Sequence, residues 1–167
     1  MEETSDTLTG NARLKAHAAV TATGEAAIAD DSGLFVDALG GAPGVHSARH
    51  AGPGASYADN VEKLLTALRD VSFEERGARF RTIAVLMRPD GETRVFEGNL
   101  EGRILEAPRG REGFGYDPVF VPGGQEQTLA EMPLARKNRL SHRALAFTGA
   151  AAFLVAHPGW LATGGCE

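Results

Sequence analysis

Two β-type runs, residues 80–87 and 93–97, stand either side of Pro89-Asp90-Gly91-Glu92. A Pro-Asp-Gly turn between such runs predicts a β-hairpin. Around it the apolar spacing changes period. Residues 9–23 read as a helix, with Ala12, Ala16 and Ala19 recurring beside Leu14 and Ala18, and Gly24 as its stop. Residues 59–68 carry Val61, Leu64, Leu65 and Leu68 on one face of a second helix. A last helix starts near Ser141, with Leu140, Ala144, Phe147, Ala151 and Leu154 in register, and Gly159 and the Gly164-Gly165 pair end it. Residues 26–29 predict a short strand flowing into a turn at Asp30-Asp31-Ser32-Gly33, and Ile104-Leu105 a third strand. Gly40-Gly41-Ala42-Pro43-Gly44 predicts a tight loop, and the Gly- and Pro-rich residues 106–128 a long one of the kind that carries function. Helices mixed with a hairpin indicate α/β or α+β with a mixed sheet.

Composition narrows the function classes. The 167 residues suit one domain, 1–167, and the sole cysteine, Cys166, excludes a disulfide framework or a Cys-rich zinc site. Apolar stretches fall far short of the ~20 residues of a membrane span. The polar, acidic start at Met1-Glu2-Glu3 is neither a signal nor a transit peptide, so a reducing cytoplasmic setting is expected. A net charge of -5 argues against a nucleic-acid polymer as partner. Yet Arg136, Lys137, Arg139, His142 and Arg143 form a basic island with no acid among them.

Three constellations can carry chemistry. Side chains alternate along a strand, so only one of Asp30 and Asp31 can face a given cleft. A carboxylate at a strand end suits Mg²⁺, although Asp, Ser and Gly are also ordinary turn residues. The run Gly110-Arg111-Glu112-Gly113-Phe114-Gly115-Tyr116-Asp117-Pro118 has the wrong glycine spacing for a dinucleotide fingerprint, and Pro118 stops a following helix. It offers instead two aromatics and a carboxylate, able to stack on a base and accept from its edge, or else a glycine-rich turn with core aromatics. The basic island at the start of the last helix opposes the helix dipole. It therefore reads as an anion site more readily than as helix stabilisation, the other reading being a solvated helix end.

In this order the motifs resemble the ITPase-like family of nucleoside triphosphate pyrophosphatases, which clear deaminated purine nucleotides. The resemblance runs over residues 1–147. It rests on Ala29-Asp30-Asp31-Ser32-Gly33-Leu34, on Val36-Asp37-Ala38-Leu39-Gly40-Gly41-Ala42-Pro43-Gly44-Val45 and on Ser47-Ala48-Arg49. It continues through Gly113-Phe114-Gly115-Tyr116-Asp117-Pro118, Lys137-Asn138 and Ser141-His142-Arg143. It implies a mixed twisted sheet flanked by helices, in two lobes around a central nucleotide cleft. It also implies a homodimer and hydrolysis of ITP, dITP or XTP to the monophosphate and pyrophosphate. Asp31 would bind Mg²⁺ and take the proton of the attacking water, with Glu2 (or Glu3) as second metal ligand. Ser32 would contact substrate and Lys15 would reach the triphosphate. Phe114, Gly115, Tyr116 and Asp117 would receive the base, and Lys137, His142 and Arg143 would complete that pocket. Donors aimed at a 6-keto oxygen would meet adenine's amino group donor to donor, a mismatch that can cost on the order of 10⁴.

Two departures accompany the resemblance, one of them Gly10 where the family usually has a glutamate before Asn11. The family opens with a strand and a Thr-Gly-Asn-x-x-Lys phosphate loop before the acid at Glu2, a segment this sequence lacks. Thr9-Gly10-Asn11 with Lys15 imitates that loop, but its lysine comes one position late and its distance from Asp31 matches the family's next helix. Alternative readings are a nucleotide-binding remnant without turnover and a pyrophosphatase of other NTPs.

Overall fold

The computed structural model describes residues 4–162. Helix α1 spans Leu8–Thr23, strand β1 Ala27–Val36, β2 Pro43–Gly44, α2 Tyr57–Ala67, β3 Gly77–Met87, β4 Thr93–Ile104, β5 Phe120–Pro122, α3 Leu134–Leu140 and α4 His142–Ala156. The strands form one five-stranded sheet in the order β2-β1-β3-β4-β5, with β1–β2 and β4–β5 antiparallel. The chain divides into two compact units, one of residues up to 32, 82–98 and from 142 onward, the other of 33–81 and 99–141. Among the described residues no helix is long and apolar enough to cross a membrane.

In the first unit, Thr7 caps α1 by accepting from the Gly10 amide at 3.0 Å, and Gly24 ends the helix as expected. The buried stripe of α1 is Leu8, Asn11, Ala12, Ala16 and Val20, one residue per turn plus Asn11. Leu14, expected on that face, is instead 41% exposed because it lies outside the 8-12-16-20 row. Helix α4 likewise buries Ala146 and Ala150, not the expected row through Ala144 and Ala151. Its Phe153 packs on Phe96 (centroids 5.7 Å apart) and edge-on to Trp160 (5.6 Å), so aromatic partners chose the inward face over a near-equivalent apolar one. The helix ends at Ala156, before Gly159, and the Gly164-Gly165 pair lies outside the described residues.

The second unit has a core of Leu34, Val36, Val61, Leu64, Leu68, Ala78, Ile104, Tyr116, Val119, Phe120, Leu129 and Met132. Helix α2 begins with a capping box, Ser56 accepting from the Asp59 amide while the Asp59 carboxylate accepts from the Ser56 amide. The hairpin strands are longer than their apolar patterns. Ile104 is the last residue of β4, not a strand of its own, and the partner there is β5, with Ile104 opposite Phe120. The long 106–128 segment therefore contains a strand and a 3-10 turn at Asp117–Val119. The expected turn at Asp30–Gly33 is also absent, because β1 runs straight through it. Gly33 permits this: a Cβ there would collide with the Gly44 carbonyl of the neighbouring strand β2.

Two polar groups stitch this second core. Arg76, 3% exposed, donates through Nε to the Val71 carbonyl (3.0 Å), Nη1 to Leu105 (3.1 Å) and Nη2 to Leu68 (2.7 Å). Tyr116 is buried, and its hydroxyl donates to the Ser47 carbonyl at 2.9 Å. Replacing Arg76 with Met leaves three carbonyls without their donor, so we expect urea denaturation to show a loss of about 3 kcal/mol or more. Burial raises the Tyr116 phenol above its ordinary value. The folded state thus holds this proton after the unfolded chain has released it, and the associated stability is intact below about pH 10 and declines above it. Chemical denaturation between pH 9 and 11 should show that alkaline decline, and Tyr116→Phe should lessen it.

Candidate functional site

Asp31 stands in the middle of β1, not at a strand end, and is 7% exposed. A buried carboxylate needs partners, and helix α1 supplies two from one face, four residues apart. Asn11 Nδ2 donates to Asp31 Oδ2 at 3.2 Å, and Lys15 Nζ donates to Asp31 Oδ1 at 2.8 Å and to the Asp30 carbonyl at 3.2 Å. Strand alternation sends the neighbouring carboxylate elsewhere: Asp30 Oδ1 accepts from Arg143 Nη2 of α4 at 2.8 Å. Ser32 Oγ shares a 2.6 Å hydrogen bond with Thr82 Oγ1 of β3. The first unit therefore holds Lys15 on Asp31, Ser32 on Thr82 and Arg143 on Asp30, with His142 the first residue of α4. Glu2 and Glu3 lie outside the described residues, within which no group of three His, Cys, Asp or Glu side chains gathers as a metal cage.

The second unit builds a different surface from the 113–117 turn. Asp117 is buried, and its Oδ2 accepts from the Phe114 amide at 2.9 Å and pairs with Lys137 Nζ. Gly113 is required there, since it has φ 83° and any Cβ would strike Asp117 Oδ2 and Lys137 Nζ. Lys137 Nζ also lies 4.7 Å from the centroid of the Phe114 ring, a cation–π contact. Phe114 is 62% exposed, whereas Tyr116 is in the core, so of the two rings Phe114 is the one with an open face. Gly115 has nothing near its Cα on the side-chain side.

The basic island divides. Arg136, Lys137 and Arg139 belong to the separate helix α3, where Lys137 and Arg139 occupy the last turn and complement the negative end of its dipole. Sequence reasoning placed the island wholly against the final helix, whose start retains His142 and Arg143. It also missed Asn11, Asp30 and Thr82 as partners of the predicted residues, and Tyr57, whose ring lies 6.3 Å from Phe114. A signal existed for Asn11: it lies one helical turn before Lys15, on the same face.

The Ham1 family model matches residues 1–153. Among relatives, the dITP/XTP pyrophosphatase of Bacillus licheniformis is 49% identical over 154 residues, covering 92% of this chain and 79% of its own. The dITP/XTP pyrophosphatase of Methylococcus capsulatus is 54% identical over 144 residues, covering 85% of this chain and 72% of its own. Among solved structures, the Staphylococcus aureus Ham1 protein aligns with a TM-score of 0.87 at 42% identity, over 93% of this chain and 80% of that one. A HAM1 protein from Coxiella burnetii gives 0.88 at 40% identity with the same coverages. The family model, the relatives and the solved structures agree, and the chain belongs to the Ham1 family.

Proposed function

We propose that this chain hydrolyses deaminated purine nucleoside triphosphates (ITP, dITP and XTP) to the monophosphate and pyrophosphate, which keeps these bases out of DNA and RNA. Relatives about 50% identical bear the name dITP/XTP pyrophosphatase. The observation that carries the chemistry is the Asp31 carboxylate, buried in mid-strand and bonded at both oxygens by Asn11 and Lys15.

Family enzymes generally depend on a divalent metal, and the residues here suit Mg²⁺. Asp31 offers hard carboxylate oxygens, and Mg²⁺ is commonly held by one or two carboxylates together with substrate phosphates and water. Asp31 would hold it, with Glu2 as the second protein ligand. When bound, the ion screens the phosphate charge and makes the phosphorus more electrophilic. Asp31 accepts the proton of the attacking water, in a position fixed by Asn11. Lys15 meets the triphosphate and offsets its charge, and Ser32 contacts the same substrate.

Recognition of the base falls to the second unit's 113–117 turn and Lys137 of α3. Phe114 stacks on the purine, and Tyr116 anchors the turn in the core through Ser47. Gly115 leaves room beside the ring. Asp117 and Lys137, already paired, present an acceptor and a donor to the base edge, and the resemblance assigns His142 and Arg143 of the first unit to the substrate as well. The 6-keto oxygen of hypoxanthine or xanthine accepts from such a donor, whereas the amino group of adenine cannot. By the same reading the protein is a cytoplasmic homodimer, which sedimentation and cell fractionation check.

The direct test is pyrophosphate release from ITP in the presence of Mg²⁺. We expect Asp31→Asn to lower kcat by 10²-fold or more, an order typical of losing a positioned general base, with the folded state retained by circular dichroism. A panel of ITP, dITP, XTP, GTP, ATP and dUTP should show the deaminated purines hydrolysed fastest. Equal rates on ATP and ITP would refute the specificity. Tight ITP binding without product would favour a nucleotide-binding protein without turnover.

A further inference from the structure

Tyr57 is the first residue of α2, and the Ser56–Asp59 capping box fixes the backbone from which it projects. The ring is 58% exposed, an unusual place for a large aromatic that adds little to the core. Its centroid lies 6.3 Å from that of Phe114, with the planes tilted by 47°. Phe114 is itself 62% exposed and carries the Lys137 ammonium 4.7 Å from its centroid. Two solvent-facing rings from separate elements thus meet beside a paired Lys137–Asp117, all within one compact unit. Exposed, tilted aromatics next to a fixed donor and acceptor make a surface suited to a flat heterocycle.

We infer that Tyr57 is a second aromatic contact for the purine, flanking the base that lies on Phe114. This rests on the reading that the 113–117 turn receives the base. The contact uses the ring and not the hydroxyl, because stacking draws on the π face and is tolerant of substituents. Tyr57 then acts on binding more than on chemistry, since it belongs to the base surface and not to the Asp31 group.

Steady-state kinetics with ITP on Tyr57→Ala and Tyr57→Phe test this. We expect Tyr57→Ala to raise KM about 10-fold with kcat within about twofold, and Tyr57→Phe to behave as the parent. A second readout uses the protein unmodified by mutation. The chain has two tyrosines, and Tyr116 is buried with its hydroxyl bonded to Ser47. Tetranitromethane should therefore nitrate Tyr57 selectively, and saturating IMP should slow that reaction several-fold while pyrophosphate does not. Normal ITP turnover with an unchanged KM in Tyr57→Ala, or an IMP-independent nitration rate, overturns the role of Tyr57 alone. Absence of both turnover and nucleotide protection in the parent protein overturns the pyrophosphatase reading and this inference with it.

Discussion

The buried charge of Asp31 is the constraint around which the first unit is arranged. A carboxylate inside a strand is costly unless hydrogen-bonded donors replace the water it has lost. Asn11 and Lys15 do this from successive turns of α1, and they reach β1 because the stripe of Leu8, Ala12, Ala16 and Val20 turns that face of the helix inward. Small residues at 12 and 16 let the helix approach. The helix, its apolar stripe and the carboxylate are therefore one arrangement, in which packing supplies the register and electrostatics supplies the fit. Such a carboxylate is held in a single orientation, which suits the role of base proposed for Asp31.

The second unit solves a similar problem around Asp117. Here the donors are a backbone amide within the turn, Phe114 N–H, and the ammonium of Lys137 from α3. The turn must be tight enough for the amide to reach Oδ2, so position 113 accepts no side chain. Its two aromatics then part company. Tyr116 enters the core and ties the turn to the Ser47 carbonyl, while Phe114 stays at the surface with the Lys137 ammonium close to its ring. A rigid anchor beneath an exposed ring suits the base-recognition role proposed for this turn, and the cation and carboxylate beside it supply polarity of both signs. Arg76, which takes three backbone carbonyls into a buried fork, stiffens the segments near residues 68–71 and 105 of the same unit.

Much of this was legible in the linear order of residues. The Pro-Asp-Gly hairpin, the helix ended by Gly24 and the amphipathic helix through Val61 and Leu64 follow from local rules, in which a turn residue or an apolar repeat acts over a few positions. The family motifs were legible for another reason: the succession of unusual residue types in Asp30-Asp31-Ser32-Gly33 and Gly113-Phe114-Gly115-Tyr116-Asp117-Pro118 carried the resemblance. The reading failed where two local preferences were nearly balanced. Asp, Ser and Gly favour a turn at 30–33, but pairing with neighbouring strands holds those residues extended. The last helix carries apolar residues on more than one side, and Phe96 and Trp160 selected which side was buried.

Sequence alone determined the hairpin, the two helices ended or patterned by local signals, the chemistry available and the family, because these depend on side-chain identity and on neighbours within a few residues. Tertiary structure alone decided that Asp31 is bonded by Asn11 and Lys15, that Lys137 pairs with Asp117 on a helix of its own, and that Tyr116 is buried while Phe114 is exposed. Each of those outcomes joins positions distant along the chain, or divides neighbours between core and solvent. The free energy that settles them comes from packing and desolvation, which no local pattern of residues contains.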